Sequence, residues 1–315
     1  MTRTLRLGMV GCGAIAQWHK TAIDAVDSVE ISAAIDVDTE RAEAMATATG
    51  ARPFSSLEDA VAADACDAVL LMLPHHLHET ICLQALQAGQ HVLLEKPMAP
   101  DTDACDRILA AAKEAPGVFM LAENAHYWPE VEIAREAIAE GAIGEIVTAR
   151  VQLFFPPMAQ YYGGDNPWRM NLQAAGGGLS IDTGSHYIRP LRMWMGEIDE
   201  VVAAMEHPFP GMEGESLARA LFRFTSGQVA SFDLLLTNGT IAPQDIFRIT
   251  GTEGEITIAA GVTLYNAENR RGRKLREDVP QGYMVSYQGQ IADFANAVLN
   301  GAPPAATAEF SLGEL

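Results

Sequence analysis

Asp182 and His186 are the side chains whose types and spacing best suit acid and base chemistry, since they stand four residues apart after the glycine run 176–178. Residues at this spacing share one face of an α-helix. A carboxylate beside an imidazole can orient a hydroxyl group and take up its proton near neutral pH. The same pair could instead be a helix cap and a structural histidine. Pro190 further indicates that the helix is kinked or begins late.

Lys96 is the second candidate, because the sequence Glu95-Lys96-Pro97 directly follows the apolar run 91–94. In doubly wound sheets, ligands bind beyond the carboxyl ends of the strands. A partly desolvated lysine at such a strand end can exchange a proton with substrate. The alternative is a surface lysine paired with Glu95.

A third group combines His126 and Tyr127 with Arg169, which follows Trp168. Their rings and guanidinium group could present stacking faces and donors to a polyhydroxylated substrate, so we predict all three as substrate contacts. They could equally pack an interface between domains.

The turn 11–16 suits a dinucleotide, because it lies where the apolar run 5–10 should give way to a helix. Gly11 permits a tight turn, and Gly13 lets the backbone approach a pyrophosphate at the positive end of that helix. Ala16 stands in the place of the usual third glycine.

Asp36 closes the next apolar run, 20 residues after Ala16, and is predicted to bind an adenosine ribose. A carboxylate bonds the ribose diol and repels the 2′-phosphate of NADP, so NAD is favoured over NADP. Arg41 could approach a 2′-phosphate or pair with acidic neighbours. Asp36 could also be a turn or helix-capping residue.

Short apolar runs alternate with helix-like stretches over the first 120 residues, as in βαβ units. The predicted strands are 5–10, 31–35, 68–73, 91–94 and 118–121, with helical periodicity over 57–61 and 79–86. Runs this apolar indicate a parallel sheet covered on both faces. We therefore predict an α/β Rossmann dinucleotide-binding domain over residues 1–122.

The pattern changes in residues 123–315, for which we predict an α+β substrate-binding domain with a large, mostly antiparallel open sheet. One helix is predicted over 132–140, and strands over 146–155, 201–207, 218–224, 229–236, 246–250 and 256–259. Ser226-Gly227 and Glu253-Gly254 are typical of hairpin turns.

Composition excludes several classes of protein. The 315 residues include 21 basic and 41 acidic residues, and the net charge of −20 argues against nucleic acid and anionic membranes as partners. No apolar run reaches the ~20 residues of a membrane helix, and no export signal is evident, so we expect a cytoplasmic protein. The cysteines, Cys12, Cys66, Cys82 and Cys105, form no CxxC pair, and we expect buried free thiols and no metal site.

Taken together, the turn 11–16, Asp36, Glu95-Lys96-Pro97 and Asp182-x-Gly184-x-His186 resemble the glucose-fructose oxidoreductase, inositol dehydrogenase and rhizopine-catabolism (Gfo/Idh/MocA) family. The resemblance spans nearly the whole chain. It implies a Rossmann domain that binds NAD(P), an open sheet that makes the contacts of a homodimer or homotetramer, and a cis bond between Lys96 and Pro97.

The resemblance also implies roles for matching residues. Lys96 would be the catalytic acid or base, Asp182 a substrate-orienting carboxylate, and His186 the proton acceptor. The positions implied on the cofactor side are Gly11, Gly13, Ala14, Ile15, Asp36, Pro74, His78, Glu95 and Lys96.

The expected activity is hydride transfer between nicotinamide and a sugar, cyclitol or related polyhydroxy substrate. The alternatives are a glycoside-cleaving or eliminating enzyme that recycles its NAD, a nucleotide-responsive binding protein, and an enzyme that acts on an aromatic dihydrodiol. The chain departs from the family at Arg189, where relatives carry an acidic residue, and at 309–315, which look like the approach to a final helix that relatives possess.

Overall fold

In the computed structural model, which describes residues 3–163 and 167–315, the apolar run Leu5–Val10 is a central strand of a six-stranded parallel sheet. The strands are β1 (Leu5–Val10), β2 (Val29–Ile35), β3 (Arg52–Phe54), β4 (Ala68–Leu71), β5 (His91–Glu95) and β6 (Phe119–Ala122). Their order is β3-β2-β1-β4-β5-β6. The direction of winding therefore reverses between β1 and β4, where doubly wound sheets open a crevice for a dinucleotide.

All five predicted strands of this sheet are present, with ends shifted by at most two residues. The sixth strand, β3, was not predicted from the sequence. It is an edge strand of three residues with Pro53 at its centre, and such a segment has too little apolar pattern to identify.

Helices alternate with these strands and leave β1, β4 and β5 almost wholly buried. They are α1 (Ala14–Ile23), α2 (Thr39–Thr49), α3 (Leu57–Ala62), α4 (His78–Gln87) and α5 (Thr102–Glu114). Asp38 caps α2 by accepting hydrogen bonds from the backbone of Glu40 and Arg41. Gly89 has a φ of +76° just after α4, a left-handed conformation in which many helices end.

The second sheet has eight strands. After α6 (Pro129–Ala139) come β7 (Ile146–Phe155), α7 (Ala159–Tyr162), α8 (Leu172–Ala175), α9 (Ser185–Met195), β8 (Ile198–Glu206), β9 (Leu217–Phe224), β10 (Val229–Leu236), β11 (Phe247–Gly251), β12 (Gly254–Ala259), β13 (Gly261–Asn266) and β14 (Arg273–Leu275). The order is β14-β13-β12-β11-β7-β10-β9-β8. Among the described strands, β7 and β10 pair in parallel and the other neighbours are antiparallel. The predicted open sheet is confirmed, with β13 and β14 in addition.

One face of this sheet is buried and the other is open. Side chains of β9 alternate strictly between buried and exposed, as a sheet with one covered face requires. Residues of α6 and α9 join the core on the covered face, where Trp194 meets Phe247 edge-on. The helix predicted over 132–140 is α6, which begins three residues earlier, at Pro129. Proline is favourable at the first position of a helix.

The chain ends with α10 (Tyr283–Asn300) and α11 (Ala308–Leu312). Of the described residues, 3–124, 286–313 and Leu315 form one unit, and those within 125–285 together with Glu314 form the other. The predicted boundary at residue 122 lies two residues from the structural one. Residues 286–313 were predicted in the second domain, and this part of the prediction is corrected. Periodicity identifies the apolar face of α10, but it does not indicate which core that face enters.

Candidate active site

The turn after β1 has the geometry that a dinucleotide requires. Gly11 has a φ of +91°, and a Cβ there would lie 2.2 Å from the carbonyl oxygen of Met72, so only glycine is accommodated. Gly13 precedes α1, and a Cβ there would meet no atom within 4 Å. No side chain caps the amino end of α1, which starts with the exposed Ala14 and the half-buried Ile15. The space and the free N–H groups fit a pyrophosphate.

Asp36 lies at the carboxyl end of β2, and its carboxylate fixes the same turn. Oδ2 accepts a 2.8 Å hydrogen bond from the backbone of Cys12, and Oδ1 accepts one of 2.9 Å from the backbone of Asp38. A carboxylate has about four acceptor positions, so capacity for a ribose diol is left. The interpretation of Asp36 as a helix cap is wrong, because Asp38 caps α2. Asp36 does take part in a turn, through its bond to the backbone of Asp38. Arg41 pairs with Asp38 at 3.1 Å.

The cysteines are buried and free, as predicted. Burial raises the pKa of Cys12 to about 11, and the charge of Asp36 adds to the effect. The pKa of Cys66 is raised to about 11, chiefly by burial. These thiols therefore remain protonated at neutral pH. Among the residues that the structure describes, no cluster of His, Cys, Asp and Glu is arranged to hold a metal ion.

Lys96 follows β5 directly and is half-buried, and the Lys96–Pro97 bond is cis. The Glu95 carboxylate beside it is buried, with Oε1 2.6 Å from Nε2 of His19 and Oε2 accepting a 3.1 Å bond from the Lys96 backbone. Lys96 is therefore only partly exposed, and its backbone is bonded to the Glu95 carboxylate. His19 was missed in the sequence; the available signal was a histidine on the face of α1 that also carries the buried Ala16 and Ala22.

Pro74 and His78 follow β4. Pro74 is half-buried, whereas His78 is fully buried, with Nδ1 2.8 Å from the carbonyl oxygen of Pro97 and Nε2 2.9 Å from that of Leu73. Burial lowers the pKa of His78. This effect is larger than the opposite effect of the two carbonyl groups, which favour the charged imidazole. Both ring nitrogens of His78 face backbone carbonyl groups, and its predicted place on the cofactor side stays a prediction.

Asp182 lies in a single π-helical turn, Ser180–Gly184, that leads into α9. His186 is the second residue of α9, and Pro190 lies inside that helix. The α-helix begins at Ser185, after Asp182, so the two residues do not share one regular α-helix. A π-turn adds one residue to the turn and is frequent at functional sites.

Arg169 holds Asp182. Its Nε donates a 3.0 Å hydrogen bond to Oδ2 of Asp182, and its guanidinium group lies over the rings of Trp168 (4.3 Å) and Tyr161 (4.9 Å). Burial acts to lower the pKa of Arg169, but the charge of Asp182 and the neighbouring tyrosines raise it overall. Burial, followed by the charge of Asp182, raises the pKa of Tyr162, so this phenol stays neutral.

His186 is buried among aromatic rings. The ring centroids of Trp128 and Tyr283 each lie 6.3 Å from that of His186, and Tyr283 is edge-on. Tyr283 was missed because nothing local links it to a helix almost a hundred residues earlier. The apolar rings limit access of water to the imidazole.

His126 and Tyr127 lie in the short 3₁₀ helix Asn124–Tyr127, both half-buried, with their rings edge-on at 5.3 Å. Nδ1 of His126 lies 3.4 Å from Nη1 of Arg189. Arg189 is wholly buried and donates to the Glu314 carboxylate through Nε and, at 3.1 Å, through Nη2. The Glu314 carboxylate is therefore the counter-ion of Arg189.

Comparison with known proteins covers both units. Residues 5–123 match an oxidoreductase family with an NAD-binding Rossmann fold, and residues 131–257 match the GFO/IDH/MocA C-terminal domain. A 1,5-anhydro-D-fructose reductase from Ensifer adhaerens is 30% identical, over 96% of this chain and 91% of its own. An inositol 2-dehydrogenase from Corynebacterium glutamicum is 37% identical, over 48% of this chain and 45% of its own.

Solved structures agree with these matches. The WlbA dehydrogenase from Bordetella pertussis, in complex with NADH and UDP-GlcNAcA, has a TM-score of 0.84 at 26% identity and covers 99% of this chain and 92% of its own. The predicted fold class is thereby confirmed.

Among the described residues, no helix is both long and apolar enough to cross a membrane.

Proposed function

Because the chain belongs to the Gfo/Idh/MocA family of NAD-binding oxidoreductases, we propose that it transfers a hydride between NAD and a sugar, cyclitol or related polyhydroxy compound. The observation that carries this proposal is the cradle after β1, where Gly11, the open space at Gly13 and the Asp36 carboxylate fit a dinucleotide. The names of the reductase and the inositol dehydrogenase support the substrate class.

The choice of NAD rather than NADP rests on Asp36. Its carboxylate is held toward the turn by the backbone of Cys12, and a 2′-phosphate near it would meet like charge. Arg41, the nearest candidate to neutralise such a phosphate, pairs with Asp38. Both contacts support a ribose diol at this position.

The proposed chemistry is oxidation of an alcohol to a carbonyl, or the reverse reduction. Bound NAD supplies the acceptor for the hydride that leaves the substrate carbon. The hydroxyl releases one proton in the oxidation. Lys96 hydrogen-bonds to the reacting oxygen and passes that proton on, and His186 is its acceptor as general base. Asp182, held by Arg169, accepts a hydrogen bond from a neighbouring hydroxyl and so orients the substrate.

His126, Tyr127 and Arg169 are proposed as further substrate contacts. Arg169 supports this role best, because its Nε is bonded to Asp182 and its stacked guanidinium group has further donors. Rings at Tyr127 and Tyr162 could also stack on a flat substrate, which keeps an aromatic dihydrodiol among the compounds to test.

We further propose a homodimer or homotetramer formed through the open face and edge of the eight-stranded sheet. Large apolar side chains are exposed there, including Val201 (56%), Val202 (73%), Met205 (52%) and Leu221 (54%). An exposed apolar patch of this kind is typical of an interface between subunits. Sedimentation velocity on the wild type and on Leu221→Lys tests the proposal, which a monomeric wild type would contradict.

The deciding experiment for the activity is absorbance of reduced nicotinamide, with NAD and NADP in turn. The panel contains myo-inositol, 1,5-anhydro-D-fructose with the reduced cofactors, aldoses, sugar acids and an aromatic dihydrodiol. Turnover with a polyhydroxy compound and NAD supports the proposal. No cofactor change, despite NAD binding by calorimetry and product formation by mass spectrometry, would instead show an enzyme that recycles its cofactor. Binding without any product would indicate a nucleotide-responsive binding protein.

A further inference from the structure

His19 and Glu95 form a buried pair directly behind Lys96. The His19 side chain is wholly buried, that of Glu95 is 9% exposed, and Nε2 and Oε1 are 2.6 Å apart. The other carboxylate oxygen of Glu95 accepts the backbone N–H of Lys96 at 3.1 Å. A chain of two hydrogen bonds therefore connects the centre of α1 to the end of β5.

The direction of the first bond follows from the surroundings of the ring. Nδ1 of His19 is buried and has no hydrogen-bond partner among the residues that the structure describes. A buried N–H without a partner is rarer and costlier than an unpaired acceptor. The neutral tautomer with its proton on Nε2 avoids that cost, and it donates to Glu95.

Tyr287 keeps this pair away from water. Its ring is 2% exposed, lies edge-on to His19 at 4.9 Å, and stacks on Trp18 at 6.2 Å. A hydrogen bond to a carboxylate is stronger in such a dry environment than in water. The carboxylate has little freedom to turn away from Lys96 while His19 holds it.

We propose that His19 is a positioning residue for Lys96, acting through Glu95 to fix the backbone at the end of β5. This inference rests on the proposed role of Lys96 in proton exchange. His19 itself touches neither substrate nor cofactor in this scheme.

The test compares His19→Leu, which removes the donor, with His19→Gln, whose amide can still donate to Glu95. His91→Gln is the matched control, because His91 begins the same strand and its ring accepts the backbone N–H of Val118. Reductive ¹³C-methylation gives one NMR signal for each of the four lysines, and Lys96→Arg assigns that of Lys96.

His19→Leu is expected to move the Lys96 signal and to lower kcat about tenfold, while KM for NAD stays within about twofold. His19→Gln should restore both readouts, and His91→Gln should change neither. The proposal is overturned if His19→Leu leaves the Lys96 signal unchanged, or if His19→Gln fails to rescue it. If His19→Leu does not fold, the comparison of His19→Gln with Glu95→Gln decides, and equal kcat values in both overturn the proposal.

Failure of the proposed function is distinguishable from failure of this inference. If Lys96→Met keeps full turnover with the active compound of the panel, the proposed role of Lys96 is wrong. The methyl-lysine signal still reports whether His19 positions that side chain, because the measurement needs no substrate.

Discussion

The Nε atom of Arg169 donates a 3.0 Å hydrogen bond to Oδ2 of Asp182, and its guanidinium group lies over the rings of Trp168 and Tyr161. Stacking fixes the plane of the guanidinium group, and the hydrogen bond fixes the carboxylate. Asp182 therefore presents its remaining lone pairs in a defined direction, as an orienting residue must.

Replacing Arg169 with Leu should lower kcat/KM by about tenfold or more, because Asp182 loses the donor that orients it. Arg169→Lys should recover little, since an ammonium cannot stack and donate as a planar fork does. Steady-state kinetics on the active compound measure both. Arg52→Leu, which removes an arginine from over the Phe54 ring, is the control and should behave like the wild type. Equal kinetics for the two leucine variants would show that Arg169 has no role in turnover.

Asp36→Ala should weaken NAD binding and shift the ratio of kcat/KM for NAD to that for NADP by about tenfold toward NADP, because the repelling charge is removed. Asp101→Asn is the control, since it changes a carboxylate that caps another helix, α5. If Asp36→Ala keeps the wild-type ratio, Asp36 does not determine the choice between NAD and NADP. Kinetics with both cofactors give the ratio.

Lys96→Met and His186→Ala should each retain NAD binding and reduce kcat by about 10²–10⁴, the usual contribution of a general acid or base. His186→Ala should also alter the pH profile of alcohol oxidation, because the residue proposed to take the proton is gone. Calorimetry with NAD shows that the variants are folded and loaded. An unshifted profile at a comparable rate would make His186 structural, and unchanged turnover in Lys96→Met would exclude Lys96 from the mechanism.

The sequence predicts more of the first unit than of the second, and the reasons are physical. The left-handed turn at Gly11 and the place of Asp36 at the end of β2 could be predicted, because they depend on local backbone geometry and on a fixed distance along the chain. The Tyr283 ring beside His186 and the Glu314 carboxylate on Arg189 depend on contacts between distant segments. Periodicity carries no information about such partners.

His78 should make folding stability depend on pH. Its pKa is lowered in the folded protein because the ring is wholly buried, so the unfolded chain binds a proton at a higher pH than the native one. Its contribution is full above the unfolded value of about 6.5 and is lost as the pH falls below it. Urea midpoints from pH 8 to 5 should therefore fall more steeply for the wild type than for His78→Gln. Parallel curves would show that His78 does not contribute to the pH dependence.

Glu314→Gln should destabilise the protein by about 3–5 kcal/mol, because it leaves buried arginine charge without its partner. Arg189 is wholly buried, the Glu314 side chain is 2% exposed, and Nη1 of Arg192 also lies 3.4 Å from that carboxylate. Glu309→Gln, exposed in the first turn of α11, is the control and should change stability by about 0.5 kcal/mol or less. Urea denaturation measures both.

The double variant Arg189→Met/Glu314→Leu should recover much of the loss, because it buries no unpaired charge at these two positions. A Glu314→Gln variant as stable as Glu309→Gln would mean that the pair contributes nothing to folding.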